Sequence, residues 1–185
     1  MDFRETIKSY TPRCEQEEKD KDFFLRFIDA YPDCLLRSND LAHVTASSWV
    51  VSPDRKKVLM VYHNIYDSWS WTGGHADGES DLAALALREL REETGLTSPR
   101  LLSPSPISIE ILTVDGHMKR GEYVHSHLHL NVTYLFEADE EAITRIKEDE
   151  NSGVGWFGIE EMFGAVSEKW MAENVYKKLV ERSAL

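Results

Sequence analysis

Cysteine is scarce in this chain: Cys14 and Cys34 are the only two in 185 residues. They form no metal-spaced motif and no disulfide framework, a usage that fits a reducing compartment. Basic residues are also short, with 21 Lys+Arg against 33 Asp+Glu and a formal net charge of -12. A surface this negative repels the phosphate backbone that nucleic-acid binders must neutralise, and it repels anionic membranes as well. No apolar run approaches the ~18 residues of a membrane span, and the opening residues carry acids instead of a continuous apolar stretch. The expectation is an intact cytoplasmic protein with neither a nucleic-acid polymer nor a membrane as partner. A small anionic substrate stays open, because bound metal ions supply positive charge locally.

Internal repeats and low-complexity linkers are missing too, and 42% hydrophobic with 29% charged positions fits one globular domain. An N-terminal helical segment, 1–41, is expected to pack on a main domain, 42–185. In that segment Thr11-Pro12 marks a helix start, and Phe23, Phe24, Phe27, Ile28 and Tyr31 form a buried stripe before Pro32. Its alternative role is a lid or a dimer arm. From Ala42 the texture turns β-branched and aromatic. Val44 to Val51 and Lys57 to His63 read as a hairpin through Pro53-Asp54, followed by a loop from Asn64 to Gly78 rich in Trp, Ser and Gly. Asp81 to Thr94 is strongly helical with Gly95 as its stop. Ile107 to Val114, Tyr123 to Glu137 and Val154 to Phe157 read as strands, and Ser167 to Arg182 as an amphipathic helix burying Trp170, Val175 and Leu179.

The helix after Gly78 carries the chemistry. At roughly 100° per residue, Glu89, Glu92 and Glu93 crowd one patch, while Ala83, Ala86, Leu87 and Leu90 form an apolar side. Like charges at these spacings destabilise a helix by about 0.2–0.5 kcal/mol per pair. Hard divalent cations compensate well, since Mg²⁺ binds through a few carboxylates and takes its other ligands from waters and substrate phosphates. Arg88, beside Glu89 and one turn before Glu92, can orient a carboxylate. From the helix alone, a solvated acidic face salted by Arg88 and Arg91 is the preferred reading.

The segment resembles the signature of the Nudix hydrolases: Gly, five residues, Glu, seven residues, then Arg-Glu-aliphatic-x-Glu-Glu-x-Gly-aliphatic. Starting at Gly74, the residues Arg88, Glu89, Leu90, Glu92, Glu93, Gly95 and Leu96 fall on the later fixed positions. The departure is Ser80, which stands where the family has its first Glu. Glu79 and Asp81 flank it, and Ser80 itself suits a helix N-cap. The likeness spans residues 42–165, and the N-terminal segment is similar to that of a bacterial Nudix subgroup with a Gly-Gly-His-Ala-Asp-Gly loop. It implies an α/β fold, an α/β/α sandwich with a mixed β-sheet. It also implies hydrolysis of a diphosphate linked to another group, in a small nucleotide derivative, by water attack at phosphorus with Mg²⁺ or Mn²⁺.

Carried onto this chain, the resemblance makes Glu89, Glu92 and Glu93 the metal ligands and Arg88, Glu89 and Glu92 catalytic. The general base lies in the signature helix or in a loop before the final strand, where Glu148, Asp149 and Glu150 stand and Glu150 is preferred. Substrate contacts are expected from Gly73, Gly74, Trp71, His127 and His129. Trp71 and Trp69 could stack on a nucleobase, but core packing is the preferred reading, and for Lys119 and Arg120 a solvated turn is preferred over a phosphate contact. His125, His127 and His129 share one face of a strand, which fits a polar face, a phosphate contact or a zinc site. Same-face neighbours ~7 Å apart suit two ligands better than three. The expected partner is a small-molecule diphosphate, with a homodimer left open. A catalytically silent binder on this fold is the alternative. An isomerase of isoprenyl diphosphates would need a cysteine near the sheet, and Cys14 and Cys34 precede it.

Overall fold

The computed structural model describes residues 3–119 and 121–183. Two helices open the chain, α1 (Phe3–Ser9) and α2 (Glu15–Ala30). Strands β1 (Ala42–Val51), β2 (Lys57–His63), β3 (Ser68–Ser70) and β4 (Thr72–His75) lead to helix α3 (Leu82–Thr94). Next come β5 (Arg100–Leu101), β6 (Ser108–Val114), a small hairpin β7 (His117–Lys119) and β8 (Glu122–Val124), then β9 (His127–Glu137) and β10 (Asn151–Gly158). The described chain ends in α4 (Ile159–Ala165), a helical turn α5 (Lys169–Met171), a π-helical stretch Ala172–Tyr176 and α6 (Lys177–Ser183).

Eight strands form one sheet with the path β10-β2-β1-β9-β5, on which β3 pairs with β2, β4 with β1 and β6 with β9. The sheet is mixed, because β1 and β9 run parallel from Ala42↔Leu128 to Val51↔Glu137 while the other pairs are antiparallel. Every residue of β1 is buried, as expected of a central strand covered on both faces. Alternation then divides its side chains between two cores. Val44, Ala46 and Val50 pack with Phe24 and Phe27 of α2 and Leu82, Leu85 and Leu90 of α3. Trp49 and Val51 pack with Met162, Val175, Tyr176 and Leu179 from the C-terminal helices. This is the α/β/α layering the sequence led us to expect. Among the described residues no helix is long and apolar enough to cross a membrane.

The two ends of the chain meet at a buried ionic cluster on β6. Glu17 of α2 is fully buried, pairs with Arg182 and lies 3.3 Å from Lys178 Nζ, which also reaches Glu110 at 2.9 Å. Burial alone would raise the Glu17 pKa, but Arg182, the Arg13 N–H and Lys178 outweigh it and hold it at about 2.

Four local expectations change. The helix in the first segment starts at Glu15 after Cys14, beyond Thr11-Pro12. Tyr31 is the C-cap residue of that helix and is 37% exposed, stacked on Phe27 at its surface end. The β1–β2 hairpin pairs only at Val51↔Val58, because β4 takes the edge of β1 from Thr45 to Ser48 and β3 takes β2 from Val61 to His63. The C-terminal helix is interrupted by the π-helical stretch Ala172–Tyr176, and at about 100° per residue Trp170 lies roughly 140° from Val175 and roughly 180° from Leu179. Val175 and Leu179 are buried as expected, whereas Trp170 is 53% exposed.

Candidate active site

The site is built on the ends of β1, β4 and β9 and on α3. Asp81, not Ser80, is the N-cap of α3: its side chain accepts the Ala84 N–H at 3.1 Å. Ser80 sits one residue too early for that role and is exposed. Glu79 braces the entry by accepting the Asp81 N–H at 2.8 Å. At the other end Gly95 adopts φ 72, the left-handed conformation that a glycine takes without strain, and its N–H bonds to the Arg91 carbonyl. Leu82, Leu85, Ala86 and Leu90 face the sheet, and Ser48 Oγ donates to the Ala86 carbonyl at 2.9 Å, fixing the helix on β1.

That anchoring presents the carboxylates to the Gly73-Gly74 strand. Glu93 is 3% exposed and accepts the Gly73 N–H at 2.8 Å. Burial is the main reason its pKa is pushed up to about 8; Glu150 and Glu89 add to the rise, and the Gly73 N–H opposes it. Glu89 is half-buried against Gly74, and its pKa is raised by burial first and then by Glu92, with Arg88 opposing. Both glycines are needed for close approach, since a β-carbon on Gly73 would lie 2.6 Å from Ser47 Oγ.

Glu89, Glu92, Asp149 and Glu150 border one cavity of about 570 Å³ with Gly73, Gly74, Arg37 and Lys147. Glu93 lines a smaller cavity of about 150 Å³ behind Gly73, together with Trp71 and Tyr176. Lys147 Nζ bridges Glu150 Oε1 at 3.0 Å and Glu92 Oε2 at 3.4 Å. Arg88 lies outside the cavity and spans Glu89 at 3.5 Å and Glu92 at 3.9 Å. Trp71 is mostly core, edge-on to Tyr176 with ring centroids 5.5 Å apart. Trp69 packs on Phe157 and Tyr62.

His127 and His129 line an adjoining cavity of about 450 Å³ that shares Arg37, His63 and His75 with the carboxylate cavity. His125 does not join them. It precedes β9, is exposed, and stands 3.5 Å from Asp40. Arg120 and the Lys119 side chain lie outside the described residues. Sequence reasoning missed Arg37, His43, His75 and Lys147. Only Lys147, beside the acidic run, and His75, in the glycine loop, had a local signal. Arg37 enters through its ion pair with Asp77, with Nε 2.7 Å from Oδ1.

A family model of the NUDIX domain matches residues 41–182. Over 57 residues the chain is 44% identical to the protein named Nudix hydrolase 27, chloroplastic, of Arabidopsis thaliana, a match of 31% of this chain and 25% of that protein. The chain thus spans about a quarter of the length of that curated relative. Among solved structures, a NUDIX-family hydrolase from Clostridium perfringens superposes with a TM-score of 0.53 at 20% identity, over 76% of this chain and 95% of that one. The E. coli dihydroneopterin triphosphate pyrophosphohydrolase gives 0.55 at 15% identity, over 75% and 94%. At those identities the two structures speak to the fold alone. The family model covers most of the chain, including the Arg88-Glu89 and Glu92-Glu93 pairs on α3, and on that match the chain belongs to the Nudix family.

Proposed function

We propose that this chain is a metal-dependent hydrolase that cleaves a diphosphate bond in a small nucleotide derivative, a nucleoside diphosphate linked to another moiety. Water attacks at phosphorus. The observation that carries this reading is the convergence of Glu89, Glu92 and Glu150 on one cavity, with Glu93 buried directly behind it.

The donor set fits a hard divalent cation, Mg²⁺ or Mn²⁺. It is made of carboxylate oxygens, and two of them, on Glu89 and Glu93, are held in surroundings that penalise their charged form unless a cation is near. Glu89, Glu92 and Glu93 are the ligands in this account. When bound, such ions neutralise the diphosphate and make water a better nucleophile.

The chain's own residues do the rest. Arg88 is a positioning residue that keeps Glu89 and Glu92 oriented from outside the cavity. Gly73 and Gly74 border the cavity and present backbone to the substrate, while Ser47 Oγ and the Glu89 side chain fill the space their missing β-carbons leave. Glu150, in the loop before β10, accepts the proton of the attacking water, and Lys147 holds it at the cavity wall. His127 and His129 face the moiety on the far side of the diphosphate, and Trp71 closes the wall behind Gly73. The two free cysteines support the cytoplasm as the compartment.

The test is a panel of nucleoside diphosphate derivatives and nucleoside triphosphates with Mg²⁺ or Mn²⁺, read as phosphate-containing products. The account expects metal-dependent release from at least one compound, abolished by a chelator. A silent binder would give saturable ligand binding without release from any compound, in the wild type as in every variant.

A further inference from the structure

Three strands bring four imidazoles together where the sequence suggested a row along one. In the parallel register His43 of β1 stands opposite His129 of β9, and β4 places His75 opposite Thr45, two residues along β1. The His43 ring centroid lies 5.1 Å from that of His75, 5.0 Å from His129 and 4.9 Å from His127. Ligand atoms of His43, His75 and His129 all lie within 4.8 Å of one another.

A second observation sets the direction of these rings. His43 is 5% exposed, and its Nδ1 is 3.0 Å from the Asn39 carbonyl, which can only accept. Nδ1 therefore carries the proton, and Nε2 presents a lone pair. That buried Nε2 has no hydrogen-bond partner among the described residues. His127 is held likewise, Nδ1 to the His125 carbonyl at 2.9 Å, with Nε2 3.3 Å from His129 Nε2. A ring pinned through one nitrogen by a backbone carbonyl, with the other nitrogen aimed into a shared space, is the usual state of a metal-ligating histidine. Burial lowers the His43 pKa, which favours the neutral ring that a metal requires.

We infer that His43, His75 and His129 form a second cation site, distinct from the α3 carboxylates although His75 also borders their cavity, that takes a transition-metal ion of the zinc class. Tetrahedral ligands ~2.0–2.1 Å from zinc stand about 3.3 Å apart, so binding requires His75 and His129 to turn toward the His43 ring, which the Asn39 carbonyl holds. Imidazole nitrogen selects zinc-class ions over Mg²⁺, which prefers oxygen, so the two sites discriminate by donor type. Three histidines leave one position open, toward the cavity of about 450 Å³ where Arg37 and His127 stand. That cavity adjoins the carboxylate cavity, so the open position suits an oxygen donor on a ligand that spans both.

The test uses metal-stripped full-length protein titrated with Zn²⁺ in excess Mg²⁺, against a chromophoric chelator. One Zn²⁺ per chain is expected. His75→Gln and His129→Gln should each weaken it by more than the ~100-fold that loss of an outer partner costs, and the Glu92→Gln/Glu93→Gln variant should retain it. Circular dichroism checks that the histidine variants fold. In wild-type protein labelled with ¹⁵N, Zn²⁺ should shift the His43 Nε2 resonance and one ring-nitrogen resonance each of His75 and His129. No uptake with Mg²⁺ present, uptake lost in the glutamate variant, or unmoved ring-nitrogen resonances would overturn the site.

Discussion

The Glu89 side chain crosses Gly74 so closely that a β-carbon there would stand 2.6 Å from its Cγ and 2.7 Å from its Oε2. Carboxylate and strand therefore share one space, and only glycine leaves the room. Gly74→Ala should push Glu89 away from the cavity. A misplacement of about 1 Å near the reacting atoms can cost ~10²-fold, so kcat/KM should fall on that scale. Steady-state kinetics beside a melting curve checks this, and near-normal turnover would show that the Glu89 position is unimportant.

Metal should stabilise the fold through the same carboxylates. A ligand present at about 100 times its Kd adds about 2.7 kcal/mol, so saturating Mn²⁺ or Mg²⁺ should raise Tm visibly. In the Glu92→Gln/Glu93→Gln variant that rise should vanish. A variant that responds to either ion as strongly as wild type would place the ion elsewhere.

Helix entry separates Asp81 from Ser80. Asp81→Ala removes the cap on the Ala84 N–H and should cost about 0.5–2 kcal/mol in chemical denaturation. Ser80→Ala removes an exposed hydroxyl ahead of the cap and should leave stability unchanged. Equal losses would mean that the helix is capped one residue earlier.

We propose that the N-terminal segment, 1–41, folds as part of the unit formed with 42–185, and Glu17 offers the check. Its folded pKa of about 2 lies below its ordinary 4.5, so its stabilisation is complete above pH 4.5 and is lost as pH falls toward 2. A shift of that size corresponds to about 3 kcal/mol. Glu17→Gln leaves Arg182 buried without its anion and should cost about 3–5 kcal/mol at neutral pH, while flattening the acid limb of the stability curve. Denaturant melts from pH 7 to pH 3 would reveal an acid limb that the substitution leaves intact, which would contradict the coupling.

The α3 carboxylates were legible because their spacing is local: Arg88, Glu89, Glu92 and Glu93 sit on one helix whose period the sequence displays. The hidden parts are those set by pairing between distant strands. Nothing near His43 announces that β1 will run parallel to β9, yet that register alone puts it opposite His129. Trp170 is a different case: at about 100° per residue it stands on the face opposite Val175 and Leu179, so the ordinary helix period turns it to solvent. Nothing local to Glu17 or Arg182 announces their burial, which depends on α2 and α6 meeting beside β6.

The central claim is that Glu89 holds the ion used in hydrolysis, and Glu89→Gln tests it most directly. The substitution preserves shape and removes a carboxylate whose charged form burial and Glu92 disfavour, so Tm in the absence of metal should not fall. With any compound that the panel shows to be turned over, kcat/KM should drop by at least the ~10²-fold expected for a positioned catalytic group. A Glu89→Gln enzyme that keeps more than about half of the wild-type kcat/KM, a loss of under 1 kcal/mol in transition-state stabilisation, would contradict the account.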